Sequence, residues 1–453
     1  MSTFSKIIEK AAHAQLRTYL QETFEDKHQF AYKPAHSTVH PIILTRQIIE
    51  EHLHNNHYVL LTLIDLSLAF DCIETGTTLP GKLRHYGATE LTTNFFRNFF
   101  TDRQHLTEWF GETSEILNLD NYSCVQGSCL GALIFNLYTK DLQGITNSQL
   151  INFADDTNMI TANKCPIKLI ETANSDLKKI STYMSANSLL INSKKTQAIL
   201  LKPKNKPAID IQNQLTLNDQ PIEIVESARY LGVTFDSKLS FKPQFNSVLK
   251  KLTIATKALL VTRKLLNKRA KMKICNGLFK SNHEYAYAAY GDKLTNKQRN
   301  QISILQKRAI RIIHKAKPGV HTNQLFQISK ILPANDTLNS ESIKLIFKLT
   351  NEITKTKQPK ALCELFSNKS NTRQTRLSQT TDKINMNSKT PGTLVYRLSK
   401  NWNEADQETR NMGNYAILKK CLKNTALNNL TPCSVKQCKI CLKDKNVNYN
   451  QSP

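Results

Sequence analysis

Leu150-Ile151-Asn152-Phe153-Ala154-Asp155-Asp156-Thr157-Asn158-Met159-Ile160 sets two adjacent carboxylates between two short apolar runs. Such runs about a tight polar pair predict a β-hairpin. Asp155 and Asp156 fall at its turn, with Phe153 and Ala154 just before it. Two like charges about 4 Å apart repel by roughly 4 kcal/mol at an effective dielectric of ~20. A divalent cation offsets that repulsion, whereas a solvated Asp-Asp turn dissipates it into water. This stretch alone is compatible with both.

The nearest partner for the pair is upstream. Tyr58-Val59-Leu60-Leu61-Thr62-Leu63-Ile64-Asp65-Leu66 is an almost continuous apolar run, as a buried strand requires. A charge inside such a strand is costly, so Asp65 belongs at its end, where it caps the next element or reaches water or a metal. Residues 58–201 read in order as strand, helices, strand, helix, hairpin, helix and strand. That order predicts an α+β antiparallel sheet with helices on one face. Asp65 at a strand end can then approach Asp155 and Asp156 on a neighbouring strand. Three such carboxylates suffice for two Mg²⁺ ions, which keep several waters and borrow phosphate oxygens.

The charge distribution narrows the substrate. The 453 residues carry a formal charge of +26, unevenly spread. Residues 1–241 hold 22 Lys and Arg against 25 Asp and Glu, and residues 242–453 hold 40 against 11. A near-neutral unit followed by a basic one predicts a catalytic core joined to a polyanion-binding part. Together with the carboxylates this points to nucleotidyl transfer on a nucleic acid; a nucleic-acid-binding protein without catalysis is the rival reading. The length predicts two or three units. Ten scattered cysteines fit a reducing, intracellular setting rather than a disulfide framework. No apolar run is long enough for a transmembrane span, so no membrane partner is expected, and residues 1–20 lack a signal-peptide pattern. The chain already reads as helix at Ser5–Lys10, as expected for a fragment of something longer.

Other elements follow from periodicity. Helices are predicted over 4–22, 40–55 and 166–189, with an edge-like strand at Gln104–Gly111 after two helices. Gln126-Gly127-Ser128 predicts a turn into an apolar helix ending near Leu142. The amides at that helix start either hold a phosphate or template strand, or are capped by a serine. Gln197–Leu201 and Ala228–Asp236 each read as a strand, and residues 203–220 as a connection with hairpin character. Beyond Phe241 the chain is helical and basic, with helices over Val248–Arg269 and Asn296–Lys315. Residues 368–392 read as a flexible linker, 393–445 as a small module anchored by Tyr396, Trp402 and Tyr415, and 446–453 as a disordered tail. Cys421, Cys433, Cys438 and Cys441 fit no zinc-ligand spacing and read as plain thiols.

These stretches resemble the ordered motifs of reverse transcriptases of non-LTR (LINE-like, jockey-type) retrotransposons. Phe153-Ala154-Asp155-Asp156 resembles the F/Y-A-D-D motif, and Asp65-Leu66-Ser67-Leu68-Ala69-Phe70-Asp71 the D-L-S-K-A-F-D motif. Gln126-Gly127-Ser128-x-Leu130-Gly131, Leu190-x-Asn192-x-x-Lys195-Thr196 and Tyr230-Leu231-Gly232 are similar to the family's Q-G-S-x-L-G, L-N-x-x-K-T and Y-L-G blocks. Gln29–Thr38 resembles Q-F-G-F-R-x-x-x-S-T, and Leu305–Arg311 with Trp402-Asn403 resembles marks of the region that follows. Val125 stands where the family has proline, and Ala31-Tyr32-Lys33 where it has Gly-Phe-Arg. The family's first fingers motifs and its fused endonuclease have no counterpart in this sequence.

The resemblance implies a right-hand polymerase: partial fingers at 1–55, a palm at 56–240 and a helical thumb-like region at 241–367. It implies RNA-templated DNA synthesis from dNTPs at a primer 3′-hydroxyl, with two Mg²⁺ ions held by Asp65, Asp155 and Asp156. Phe70 would be the steric gate against a 2′-hydroxyl, and Gln126 and Gly127 would contact template and nucleotide. Lys195 would lie near the triphosphate as an electrostatic partner or proton donor, and Lys33 would contact phosphate. RNA template and DNA primer would be gripped by the basic half through phosphates. An active enzyme would work in the nucleus, and otherwise remain in the cytoplasm. The alternative is a truncated copy that binds nucleic acid without polymerising.

Overall fold

The computed structural model describes residues 3–23, 27–119, 121–122, 128–351, 358–367, 383–387 and 389–431. Gln126, Gly127, most of the 368–392 segment, the three cysteines from Cys433 and the 446–453 tail lie outside the described residues. The chain forms two compact units: residues 1–41 with 52–228, and residues 42–51 with 229–453.

In the first unit, the strands are β1 (Tyr58–Ile64), β2 (Leu66–Ser67), β3 (Gln149–Phe153), β4 (Asp156–Asn163), β5 (Leu190–Ile191), β6 (Gln197–Leu201) and β7 (Glu223–Ile224). Its helices are α1 (Thr3–Thr23), the ends of α2 (Val39–His54), α3 (Thr78–His85), α4 (Glu90–Phe100), α5 (Cys129–Tyr138) and α6 (Pro166–Ala186). Five strands make one sheet in the order β7-β6-β1-β4-β3. β1 is central and antiparallel to both β4 and β6; β7 joins the far side of β6 in parallel. The central place explains the apolar run of β1: Val59, Leu60 and Leu61 are all fully buried, so both faces of the strand are covered.

One face belongs to the helices. Tyr58, Leu60 and Ile64 share a core with Ile134, Phe135 and Tyr138 of α5. Leu169, Ala173, Leu177, Ile180 and Met184 of α6 enter the same core, at three- and four-residue spacing. The predicted edge-like strand at Gln104–Gly111 is instead an exposed ribbon. Gln104-His105 pairs with Leu117-Asn118, and Glu108-Trp109 with Glu112-Thr113, turning at Phe110-Gly111. Its side chains are exposed throughout, because among the described residues no sheet or helix lies against either face to bury them.

The strand predicted at Ala228–Asp236 is two strands, β8 (Ser227–Tyr230) and β9 (Val233–Asp236), bent at Leu231-Gly232. Gly232 adopts a φ of +83°, and a Cβ there would lie 3.2 Å from the Tyr285 ring. The second unit then runs through α7 (Lys242–Val261), α8 (Lys268–Ile274), α9 (Asn296–Ile313), α10 (Ala334–Thr350), α11 (Leu394–Glu404) and α12 (Tyr415–Asn428). The helix predicted over Val248–Arg269 breaks after Val261 and restarts where the Asn267 side chain accepts a hydrogen bond from Ala270 N–H at 2.9 Å. Trp402 is buried on α11.

A buried ion cluster holds this unit together. Arg46, fully buried on α2, donates through both Nη atoms to the Asp292 carboxylate at 2.6 and 2.8 Å, and through Nε and Nη2 to Glu50. Lys293 and Arg397 also pair with Glu50, each at 2.9 Å. Glu50 Oε2 and Gln47 Oε1 accept the N–H groups of Leu394 and Val395 at the start of α11. Three cations against two carboxylates leave no anion without a partner. Burial raises the carboxyl pKa of both Glu50 and Asp292, but the cations around them outweigh it and hold both below the usual range.

Candidate active site

The register of the sheet assembles the carboxylates. The β1–β4 ladder ends at Ile64 opposite Thr157, so one further step sets Asp65 abreast of Asp156. On the other flank the β1–β6 ladder ends at Leu63 opposite Gln197, and two further steps bring Lys195 abreast of Asp65. Residues opposed across antiparallel strands share a face. Lys195 Nζ accordingly lies 4.0 Å from Asp65 Oδ2, with both side chains reaching solvent.

The Leu190–Thr196 segment holds the end of β1. Beyond β1 the chain continues into β2, which pairs with β5, and Asn192 N–H donates to Asp65 C=O at 2.8 Å. Thr196 Oγ1 donates to Asn192 C=O at 2.9 Å and accepts the Asp65 N–H at 3.3 Å. Asn192 Oδ1 accepts the Lys195 N–H. The asparagine and threonine thus fasten both the Asp65 backbone and the turn that carries Lys195.

The hairpin turn sits one residue earlier than the sequence predicts. Phe153 pairs with Asp156, so the two loop residues are Ala154 and Asp155, and Asp156 opens β4. Ala154 adopts a φ of +56°, a left-handed conformation that costs a non-glycine residue roughly 1–2 kcal/mol. The offset has a simple origin: a two-residue loop places its flanking residues in register, and Asp156 is already claimed by the ladder. Two carboxylates adjacent in sequence therefore differ in backbone, one in the turn and one on the strand.

Electrostatically the site is unbalanced. The Asp156 side chain keeps contact with water on one side. Partial burial of its carboxyl, reinforced by the charges of Asp155 and Asp65, pushes it up to about 6. Among the described residues no three carboxylate, histidine or cysteine side chains are drawn together at metal-ligating separations. The donor set nevertheless suits a hard divalent cation: oxygen donors only, facing solvent, with excess negative charge. Mg²⁺ needs only one or two carboxylates beside water and phosphate oxygens.

An aromatic wall adjoins the carboxylates. Leu68, at a φ of +49°, starts a turn in which its carbonyl accepts the N–H groups of Asp71 and Cys72. The turn presents Phe70, whose ring stacks on Phe135 of α5 at 4.7 Å and meets Tyr32 edge-on at 6.2 Å. The Tyr32 phenol pKa is raised by partial burial and by the charge of Asp155, so the phenol lies within electrostatic reach of the hairpin turn. Sequence reasoning gave Tyr32 and Gln29 no role; the only signal was their place in the Gln29–Thr38 segment. Lys33 in that segment is half-buried, and its charge bears on His36.

The start of α5 resolves one open alternative. Ser128 accepts the Leu130 N–H at 3.1 Å and donates to the buried Glu9 carboxylate of α1 at 2.8 Å. The serine cap, backed by a carboxylate, is thus present at that helix start.

Residues 1–235 match the family model "Reverse transcriptase (RNA-dependent DNA polymerase)". The chain belongs to the reverse transcriptase family. Its fold is accordingly the right-hand polymerase type, of mixed helix and sheet, and its family uses divalent metal ions. Relatives among Drosophila melanogaster proteins are the probable RNA-directed DNA polymerases from transposon BS and transposon X-element. The first is 24% identical over 69% of this chain and 35% of its own length, the second 21% over 76% and 38%. The RNA-directed DNA polymerase from mobile element jockey is 22% identical over 77% of this chain and 38% of its length. The chain thus spans a little over a third of these relatives. Telomerase structures from Candida tropicalis and Candida albicans align at TM-scores of 0.36 and 0.33, with 12% and 10% identity. They cover 75% and 72% of this chain, and 54% and 56% of those chains. Among the described residues no helix is long and apolar enough to cross a membrane.

Proposed function

We propose that this reverse transcriptase is the RNA-templated DNA polymerase of a non-LTR mobile element, extending a DNA primer 3′-hydroxyl with dNTPs. The observation that carries the reading is the row at the end of the central strands: Asp156 and Lys195 flank Asp65, with Asp155 one residue away in the turn. In this reading Asp65, Asp155 and Asp156 hold two Mg²⁺ ions. These ions would activate the attacking hydroxyl and neutralise charge on the transferring phosphate.

The chain's own groups supply the rest. Lys195 is 72% exposed and tethered only loosely to Asp65, so it can swing to a triphosphate, where its ammonium neutralises charge or delivers a proton to the leaving oxygen. Phe70, stiffened by the stack on Phe135, forms the floor under the sugar and rejects a 2′-hydroxyl by contact. Lys33 contacts phosphate from the 27–38 loop. Gln126 and Gly127 meet template and nucleotide. Residues 1–55 serve as partial fingers, 56–240 as the palm and 241–367 as the thumb. The basic second half binds the template–primer duplex by phosphate contacts, without sequence preference and with steep salt dependence. The place of action is intracellular, the nucleus when the element inserts.

Primer extension on an RNA template with Mg²⁺ tests this, with Asp155→Ala beside the wild-type chain. Extension by wild type alone supports the reading. Equal incorporation by both overturns the role of Asp155. Salt-sensitive duplex binding without extension by the wild-type chain overturns the polymerase reading in favour of a binding-only copy.

A further inference from the structure

Gln29 is 2% exposed, an uncommon state for a glutamine unless its amide is paired. Its backbone neighbours run beside the edge strand of the sheet: Asn152 N–H donates to His28 C=O and Phe30 N–H donates to Asn152 C=O, both at 2.9 Å. The pairing then passes from backbone to side chain. Gln29 Oε1 accepts the Ala154 N–H at 3.0 Å and the Ala31 N–H at 3.0 Å, and Nε2 donates to the Ala154 C=O at 3.4 Å. A side-chain amide presents the same donor and acceptor as a peptide group. Gln29 therefore acts as one more strand residue, extending the β3 edge into the turn where backbone pairing has stopped.

What it grips is the left-handed residue immediately before Asp155. That conformation is unfavourable for alanine and persists only where the surroundings impose it. The same oxygen fixes Ala31, and so the backbone that leads to Tyr32, which meets Phe70 edge-on and feels the charge of Asp155.

We propose that Gln29 is a positioning residue of the polymerase site, locking the Ala154 backbone so that the Asp155 carboxylate and Tyr32 are held in one arrangement. The proposal rests on the polymerase reading for its catalytic consequence, but the lock is observable without catalysis. In Gln29→Met, which keeps chain length and loses the amide, amide hydrogens of residues 150–157 exchange about ten-fold faster while those of α6 keep their wild-type rates. In primer extension the same variant loses about ten- to a hundred-fold in kcat, with nucleotide KM changed less than about two-fold. Gln29→Glu keeps the acceptor oxygen and is expected to give exchange between wild type and Gln29→Met; it also decides the matter if the Met variant folds poorly.

Faster exchange of the hairpin and α6 to the same degree in both variants makes Gln29 ordinary packing and overturns the proposal. Unchanged exchange and unchanged kcat overturn it while leaving the polymerase reading intact. Selective loosening in a chain that extends no primer upholds the lock and counts against the polymerase reading instead.

Discussion

The molecule contains two charge clusters of similar size and opposite character. In the second unit, Arg46, Lys293 and Arg397 enclose Glu50 and Asp292, and both carboxyls are held below their usual range. In the first unit, among the described residues, Asp65 pairs with the exposed Lys195, while the charges of Asp155 and Asp65 help push the Asp156 carboxyl up to about 6. Burying charge is tolerable only when opposite charge and hydrogen bonds come with it. A cluster neutralised from within is complete as folded, and its role is to join α2, the 291–293 turn and α11. A cluster with surplus negative charge at a solvent-facing strand end is not neutralised from within, which is what the proposed reading, with a bound cation, requires.

The largest expected effect tests the cluster of the first unit. Asp155→Asn lowers the rate of primer extension by at least about a thousand-fold, several kcal/mol of barrier. The urea midpoint stays the same or rises slightly, because a like-charge repulsion has been relieved. A large loss of stability would mean that the carboxylates, like Glu50 and Asp292, are structural.

The complete cluster behaves in reverse. Arg46→Met leaves Glu50 and Asp292 short of a buried partner and costs about 3–5 kcal/mol, read from urea unfolding followed by circular dichroism. A cost below about 1 kcal/mol would break the contrast.

Lys195 sharpens the first cluster. Lys195→Ala slows extension about ten- to a hundred-fold, and Lys195→Arg restores part of the electrostatic share but little of any proton transfer, as single-turnover rates will show. Stability should be indifferent, since the side chain is exposed.

The smallest effect concerns pH. Burial drives His283 and His314 down to about 4, with the charges of Lys268 and Lys271 adding to it at His314. Their folded-state values lie below the ordinary value near 6.5, so protonation favours the unfolded chain. Their stabilising effect is complete above about pH 6.5 and is lost as pH falls towards 4. Urea midpoints should decline across that window, and His314→Gln should flatten the decline by about 1–2 kcal/mol. A pH-independent midpoint from 7 to 4.5 would contradict both assignments.

Much of this was legible because it is local. The apolar run at Tyr58–Ile64 is a buried central strand, and Gln197–Leu201 is a strand with the bounds its pattern predicts. The 166–189 helix is found at 166–186. Turn detail was less legible. Asp155 and Asp156 look equivalent in a linear reading, and the Ala228–Asp236 strand hides a bend, because a turn is set by pairing register rather than by composition. The buried cluster left no local trace: Arg46, Asp292 and Arg397 are far apart in the chain, and each reads alone as a solvated charge.

The sequence by itself determined the family, through the ordered motifs that mark a reverse transcriptase, and it singled out the residues proposed to carry the chemistry: the carboxylates, Phe70 and Lys195. Those depend on residue type and spacing, which a linear chain displays in full. Tertiary structure alone decided that Asp156 opens β4 one step past the Ile64–Thr157 pair, abreast of Asp65, while Asp155 rides the turn, and that Gln29 grips that turn. It also decided that Ser128 and Glu9 close the α5 helix end. Each is a hydrogen-bonded register or a buried contact between segments distant in sequence. Only the assembled sheet and its packed helices bring such partners together and strip them of water.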